Sequence, residues 1–156
     1  HQEQRTEVPV AGQPNAITSS AEVRHRMARV RQKNRAAEWL LRSELHARGI
    51  RYRIHVPVLT KPRRVADVAF SGLRVAVFVD GCFWHGCPTH ATWPKQNAGF
   101  WRAKIATNMA RDRDTDDRLR AASWKVIRVW AHEEPKIAAV RIAHIIVRRR
   151  DKMRRA

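Results

Sequence analysis

Apolar positions along the chain change period several times, and each change marks an element. Ala37, Leu41 and Leu45, with Leu40 beside them, recur at helical spacing. They predict a helix from about Arg35 to Arg48, with Asn34 as N-cap and Gly49 just past the end. Ile50, Tyr52, Ile54 and Val56 then alternate with Arg51, Arg53 and His55, the period of a half-buried strand. A basic loop containing proline, Pro57 to Arg64, leads into Val65–Phe70, Ser71-Gly72 and Leu73–Val79, which read as a hairpin. Its second strand is almost wholly apolar and therefore central. A helical stretch with a break follows over about Ala98–Ala122, then a fourth strand, Trp124–Trp130. Pro135 opens a last helix carrying Ile137, Val140, Ile145 and Ile146. The order α-β-β-β-α-β-α favours an α/β sandwich around a central mixed β-sheet.

With 156 residues, of which 44% are hydrophobic, the chain suits one folded domain rather than a disordered basic tail. Residues 1–22 read as a flexible N-terminal arm, 23–150 as the single domain and 151–156 as a basic C-terminal tail. The arginine-dense stretch from Arg24 to Arg35 reads as a phosphate-tracking arm that orders on binding. No run approaches the roughly 20 consecutive apolar residues of a membrane span, and no signal-peptide core is visible. The expectation is a cytoplasmic, nucleoid-associated protein with no membrane partner.

Charge narrows the partner. Thirty-two Lys and Arg against 14 Asp and Glu give a formal net charge of +18, which favours a polyanion and salt-dependent binding. Between Arg24 and Arg64 the only acids are Glu38 and Glu44, and from Arg141 to Ala156 the only acid is Asp151. These two basic flanks suit phosphate contact, which positions a nucleic acid without reading its sequence.

Few residues remain for chemistry. Asp67 interrupts the apolar strand Val65–Phe70, and a carboxylate there requires an ion pair, hydrogen bonds or a metal. Glu38 sits at the edge of the core-facing helical stripe. Two such acids can converge on one Mg²⁺, as metal-assisted phosphodiester cleavage requires, or each can form a structural ion pair with an arginine. Cys82, Cys87 and His90 have the residue types and short separations of a zinc site, and His132, just beyond the fourth strand, is the natural fourth ligand. His85 lies between the cysteines, free to act as a general base or to serve as an alternative zinc ligand. Phe83, Trp84, Phe100 and Trp101 flank this loop either as core or as a wedge that enters a base stack. Lys104 and Asn108 share a helical face with Trp101, either solvated or placed to read base edges.

The runs FVDGCFWHGCP, FWRAKIATNMARD and WKVIRVWAHE, in this order, resemble the very-short-patch repair (Vsr) DNA mismatch endonucleases over about Val23–Glu134. The resemblance implies a restriction-endonuclease-like α/β sandwich and a structural Zn²⁺. It implies Mg²⁺-dependent hydrolysis that nicks one strand of double-stranded DNA at T:G mismatches arising from 5-methylcytosine deamination. By position, Asp67 matches the metal-binding acid, Glu38 the helix carboxylate that orients the metal's water, and His85 the catalytic histidine. The backbone carbonyl of Val79 would complete the metal shell. Cys82, Cys87, His90 and His132 match the zinc ligands. Phe83, Trp84 and Trp101 match the intercalating wedge, and Lys104 and Asn108 match residues that contact the mismatched pair. Mismatch-repair helper proteins are implied by analogy alone, and nicking one strand requires no more than a monomer. The chain departs from the family pattern at Val79-Asp80, where the best-known member has Thr-His, so Asp80 is either an extra acid or a loop cap. His132 stands for a cysteine and Ala66-Asp67 for the wider superfamily's Pro-Asp, while the downstream acid-x-Lys element is not recognisable.

Overall fold

A computed structural model describes residues 21–89 and 97–156. Three helices, α1 (Ala21–Ala47), α2 (Ala98–Ala121) and α3 (Pro135–Arg154), enclose four strands: β1 (Arg53–Thr60), β2 (Arg63–Phe70), β3 (Val75–Asp80) and β4 (Lys125–Trp130). The sheet runs β1-β2-β3-β4, antiparallel across its first two pairs and parallel between β3 and β4, so it is the mixed sheet the pattern predicts. The crossover from β3 to β4 passes through α2. Among the described residues no helix is long and apolar enough to cross a membrane.

The apolar strand β3 is central because both of its faces are covered. On one face Leu41 and Leu45 of α1 and Ala138, Ala139, Ile142 and Ile146 of α3 pack against Val68, Val75, Val77, Ile127 and Val129. On the other, Leu119 of α2 meets Ala66, Ala76 and Phe78. This α/β/α layering buries a hydrophobic stripe from each helix, the main favourable term in holding the layers together. The core side of α3 is thus the alanine–isoleucine stripe. Ile137 and Val140, expected to carry it, are exposed, because Ala138, Ala139, Ile142 and Ile146 recur at helical spacing and form the face turned to the sheet.

Several expected boundaries are corrected. The Arg24–Arg35 stretch is not an arm but the first half of α1, so Asn34 lies inside the helix and does not cap it. Val23, Met27 and Val30 recur along that half and pack on Phe83, Trp84, Phe100 and Trp101, which explains why it is helical without DNA. α2 has no break. The expected Pro57–Arg64 loop is mostly strand: β1 continues to Thr60 across a register shift and turns through Lys61-Pro62, while Ile50 and Tyr52 precede β1 and pack on the core. α3 continues to Arg154, so most of the expected tail is helical. Its N-cap is Glu134, whose carboxylate accepts a hydrogen bond from the Ile137 amide at 3.1 Å, with Pro135 following it.

Candidate metal centre and nucleic-acid interface

The β2–β3 ladder is regular from Phe70/Val75 to Val68/Val77 and then stops. Beyond it the Asp67 carboxylate takes the place of a ladder acceptor: Oδ2 accepts a hydrogen bond from the Val79 amide at 2.7 Å. Asp67 therefore sits where the sheet parts. Burial, only partly offset by the Val79 amide and reinforced by the nearby Glu38 and Asp80 charges, pushes its carboxyl up from 3.8 to about 6. Glu38 is on the neighbouring stretch of α1, largely covered, with His55 Nε2 2.7 Å and Arg42 3.9 Å from its Oε1. One ligand atom each from Glu38, His55 and Asp67 lie within 4.8 Å of one another. The two acids singled out in the sequence thus converge, and His55, which the sequence reading left on the polar face of a strand, joins them.

A second cluster begins at the next residue. Asp80, the last of β3, is buried, and its Oδ1 accepts from Arg128 at 2.9 Å. Arg128 projects from β4, lies 4.3 Å over the Phe78 ring, and also bonds Asp116 at 2.7 Å and approaches Asp112 at 3.5 Å. Asp80 is thus a member of an arginine-centred ion-pair network, not a loop cap. Burial raises the Asp80 carboxyl above its ordinary value, and Arg128 and His85 offset only part of this. His85 Nδ1 lies 2.5 Å from Asp112 Oδ2 and 3.7 Å from Asp80 Oδ1. Burial alone would lower the imidazole pKa, but the Asp112 hydrogen bond and the two carboxylate charges outweigh it, so His85 titrates above 6.5.

The β3–α2 loop is shaped by its own turns. His85 and Cys87 amides bond the Gly81 and Cys82 carbonyls at 3.1 and 3.0 Å, folding the loop so that both cysteines face the same way. Gly86 has φ 65, a left-handed conformation that favours glycine at this turn. His132, one residue after the Ala131 that follows β4, places Nδ1 3.2 Å from Cys82 Sγ and 3.7 Å from Cys87 Sγ. Tetrahedral zinc with Zn–S of ~2.3 Å and Zn–N of ~2.0–2.1 Å separates such donors by about 3.6 Å, so these three residues fit a structural zinc ion. Burial and the adjacent Cys87 hold the Cys82 thiol above its usual pKa, a penalty that a cation would reverse. His90, expected as a further ligand, lies outside the described residues.

The aromatic residues form a connected group. Phe83 and Trp101 are buried and Trp84 is half-buried, with the Phe83 and Trp101 rings 4.9 and 5.9 Å from that of Trp84. Trp101 Nε1 is buried and has no hydrogen-bond partner among the described residues. Lys104 Nζ lies 5.4 Å over the Trp84 ring and Asn108 Nδ2 donates to the Trp84 carbonyl at 3.2 Å. The two side chains that share a helical face with Trp101 therefore hold Trp84.

Sequence reasoning missed His55, Asp112, Asp116 and Arg128. Asp112 follows Asn108 by one helical turn, and that spacing was the available signal. The surrounding Arg-Asp-Arg-Asp-Thr-Asp-Asp run reads equally well as a solvated face.

All three donor clusters lie at or beside the carboxyl ends of the parallel strands β3 and β4, the edge at which open α/β sheets present ligand sites. Together they define a strongly basic α/β protein with a Cys/His cluster that fits a structural zinc ion. The profile of the family described as "DNA mismatch endonuclease Vsr" matches residues 16–90. The type II nicking enzyme V.XorIIP of Xanthomonas oryzae pv. oryzae is 37% identical, over 75% of this chain and 85% of its own length. The type II nicking enzyme V.NaeI of Lentzea aerocolonigenes is 44% identical over 62% of this chain, which spans 60% of that relative's length. The DNA mismatch endonuclease Vsr of Escherichia coli is 32% identical, over 67% of this chain and 65% of its own. The chain belongs to the Vsr mismatch-endonuclease family.

Proposed function

We propose that the protein is a Mg²⁺-dependent endonuclease of restriction-endonuclease-like fold that nicks one strand of duplex DNA at a T:G mismatch left by 5-methylcytosine deamination. The observation that carries this reading is the meeting of two clusters at Val79. Its amide bonds Asp67 of the Glu38–His55–Asp67 group, and its neighbour Asp80 belongs to the Asp80–His85–Asp112 group. A carboxylate acceptor for a divalent ion and a histidine backed by a carboxylate therefore stand side by side in a chain whose relatives are named as nicking enzymes.

Asp67 is suited to a cation because its buried carboxyl, pushed up to about 6, meets the charges of Glu38 and Asp80, which among the described residues only His55 opposes. Asp67, Glu38 and the Val79 carbonyl would hold Mg²⁺. Mg²⁺ bound there supplies a Lewis acid for the charge that develops on the phosphate and the leaving 3′ oxygen. Glu38 orients the attacking water. Asp112 fixes the His85 tautomer by accepting from Nδ1–H, leaving Nε2 to take the proton of that water. Cys82, Cys87 and His132, with His90, brace the loop that carries His85 through Zn²⁺. Trp84, with Phe83 and Trp101 behind it, enters the base stack at the mismatch, Lys104 and Asn108 contact the mismatched pair, and the basic flanks grip phosphates. A monomer suffices for one nick.

The test is incubation of the zinc-loaded chain with Mg²⁺ and labelled T:G, T:A and C:G duplexes. Nicking confined to T:G supports the reading, and cutting of all three replaces it with a nuclease of another specificity. Binding without cutting makes the protein a mismatch-binding module. Asp67→Ala that stays folded, binds the mismatch and nicks at the wild-type rate overturns the assignment of Asp67.

A further inference from the structure

His55 is the member of the Glu38–His55–Asp67 group to which the mechanism above gives no task. Its backbone has φ 48, the left-handed region, at the third residue of β1. A non-glycine residue is disfavoured there, and such strain persists only where the surrounding structure holds it. The flanking pairs Ile54↔Val68 and Val56↔Ala66 place His55 across from Asp67 on β2. The twist in the strand aims the imidazole at Glu38, 2.7 Å from Nε2 to Oε1, even though the ring is more than half exposed. A His–Glu pair whose imidazole is more than half exposed contributes too little to offset a strained backbone. The geometry serves convergence of three donors rather than stability.

We propose that His55 is a ligand in the divalent-cation site formed with Glu38 and Asp67, so that the site is a mixed imidazole–carboxylate centre that takes Mn²⁺ in preference to Mg²⁺. This rests on the reading of Asp67 and Glu38 as cation-holding acids. Mg²⁺ is a hard ion that favours oxygen donors, whereas first-row ions gain from an imidazole nitrogen. Neighbouring donors around an octahedral ion with ~2.1 Å bonds stand about 3.0 Å apart, so the 2.7 Å His55–Glu38 contact opens only slightly when a metal replaces the shared proton.

The experiment titrates Mn²⁺ into the zinc-loaded full chain and reads free and bound ion by electron paramagnetic resonance, with ¹⁴N modulation reporting nitrogen ligation. Mg²⁺ affinity is read by competition. Wild type should show nitrogen coupling. His55→Gln should abolish the coupling and weaken Mn²⁺ binding roughly 10-fold or more, with a much smaller change for Mg²⁺. His55→Gly should lose the same affinity without a lower Tm, because glycine relaxes the left-handed φ; a merely structural histidine would give the reverse. Coupling that is absent in wild type, or that survives in His55→Gln, overturns the proposal. Should Asp67→Asn remove Mn²⁺ binding while His55→Gln leaves it unchanged, His55 is excluded and the acidic site stands. Mn²⁺ bound equally well by Asp67→Asn overturns the acidic site itself.

Discussion

His85 Nδ1 and Asp112 Oδ2 lie 2.5 Å apart, joining the loop after β3 to the middle of α2. The bond does two things at once. It sets which ring nitrogen is free, and it raises the imidazole pKa above 6.5 against the effect of burial. A group with a raised pKa contributes stability below its unfolded value, which is lost as pH rises through the folded one. The neutral base appears over that same upper range. The nicking rate should therefore climb with pH through a value above 6.5. Asp112→Asn, which keeps an acceptor but removes the charge, should shift that limb to lower pH and slow the reaction. His85→Ala should lose about 10²–10⁴-fold. A pH–rate profile of the three proteins on T:G duplex checks this, and an unmoved limb in Asp112→Asn contradicts it.

Asp67 gives a second pH dependence of opposite use. With its carboxyl at about 6 and an ordinary value of 3.8, the metal-free protein is favoured below pH 3.8 and loses that advantage as pH rises through about 6. Ionising Asp67 at neutral pH then costs about 3 kcal/mol, which a bound divalent cation offsets. Asp67→Asn should raise the Tm of the metal-free protein at pH 7–8 while abolishing Mg²⁺-dependent nicking. Wild-type Mg²⁺ affinity should fall about tenfold for each pH unit below 6. Thermal melts with and without Mg²⁺ across this range measure both effects.

Arg128 pairs with Asp80, Asp112 and Asp116, tying β3 and β4 to α2. All four side chains are mostly covered. Arg128→Met should therefore destabilise the fold by about 3–5 kcal/mol, as removal of one partner from a buried ionic group does. Arg128→Lys should cost less, since it keeps the charge but not the planar fork. Urea denaturation of the two variants gives the comparison.

Elemental analysis should find one zinc per chain. Its absence would remove the Cys82–Cys87–His132 assignment. Chelation, or Cys87→Ser, should lower Tm and slow nicking together, because the loop held by zinc also carries His85.

The aromatic group separates stability from recognition. Trp101 is 3% exposed, so Trp101→Ala should cost about 3–5 kcal/mol of stability before any effect on DNA is read. Trp84 is half-buried and held by Lys104 and Asn108, so Trp84→Ala is the cleaner test. It should weaken preference for T:G over matched duplex more than it weakens duplex binding overall. Equal losses on both DNAs would remove the wedge role. Competition binding of the two labelled duplexes measures the ratio.

How much of this was legible differs by residue. Asp67 stood out because a carboxylate in an apolar strand demands a partner, and Cys82, Cys87 and His132 because few residue types hold zinc. Asp112 and Arg128 did not stand out, since on an Arg- and Asp-rich helix or a half-buried strand they are indistinguishable from solvated charges. The Arg24–Arg35 stretch was misread because its apolar residues, Val23, Met27 and Val30, are sparse among arginines and find their partners only on Phe83 and Trp101, far along the chain.

The sequence by itself determined the element order, the central place of β3, the basic character and the zinc-type loop, because hydrophobic period and residue chemistry are local properties. Only the tertiary structure decided that α1 is one long helix, that Asp80 is ion-paired with Arg128 rather than poised as a free acid, and that His55 meets Glu38 and Asp67. These depend on strand register, on a left-handed residue and on burial, which arise only when segments distant in the chain are packed together.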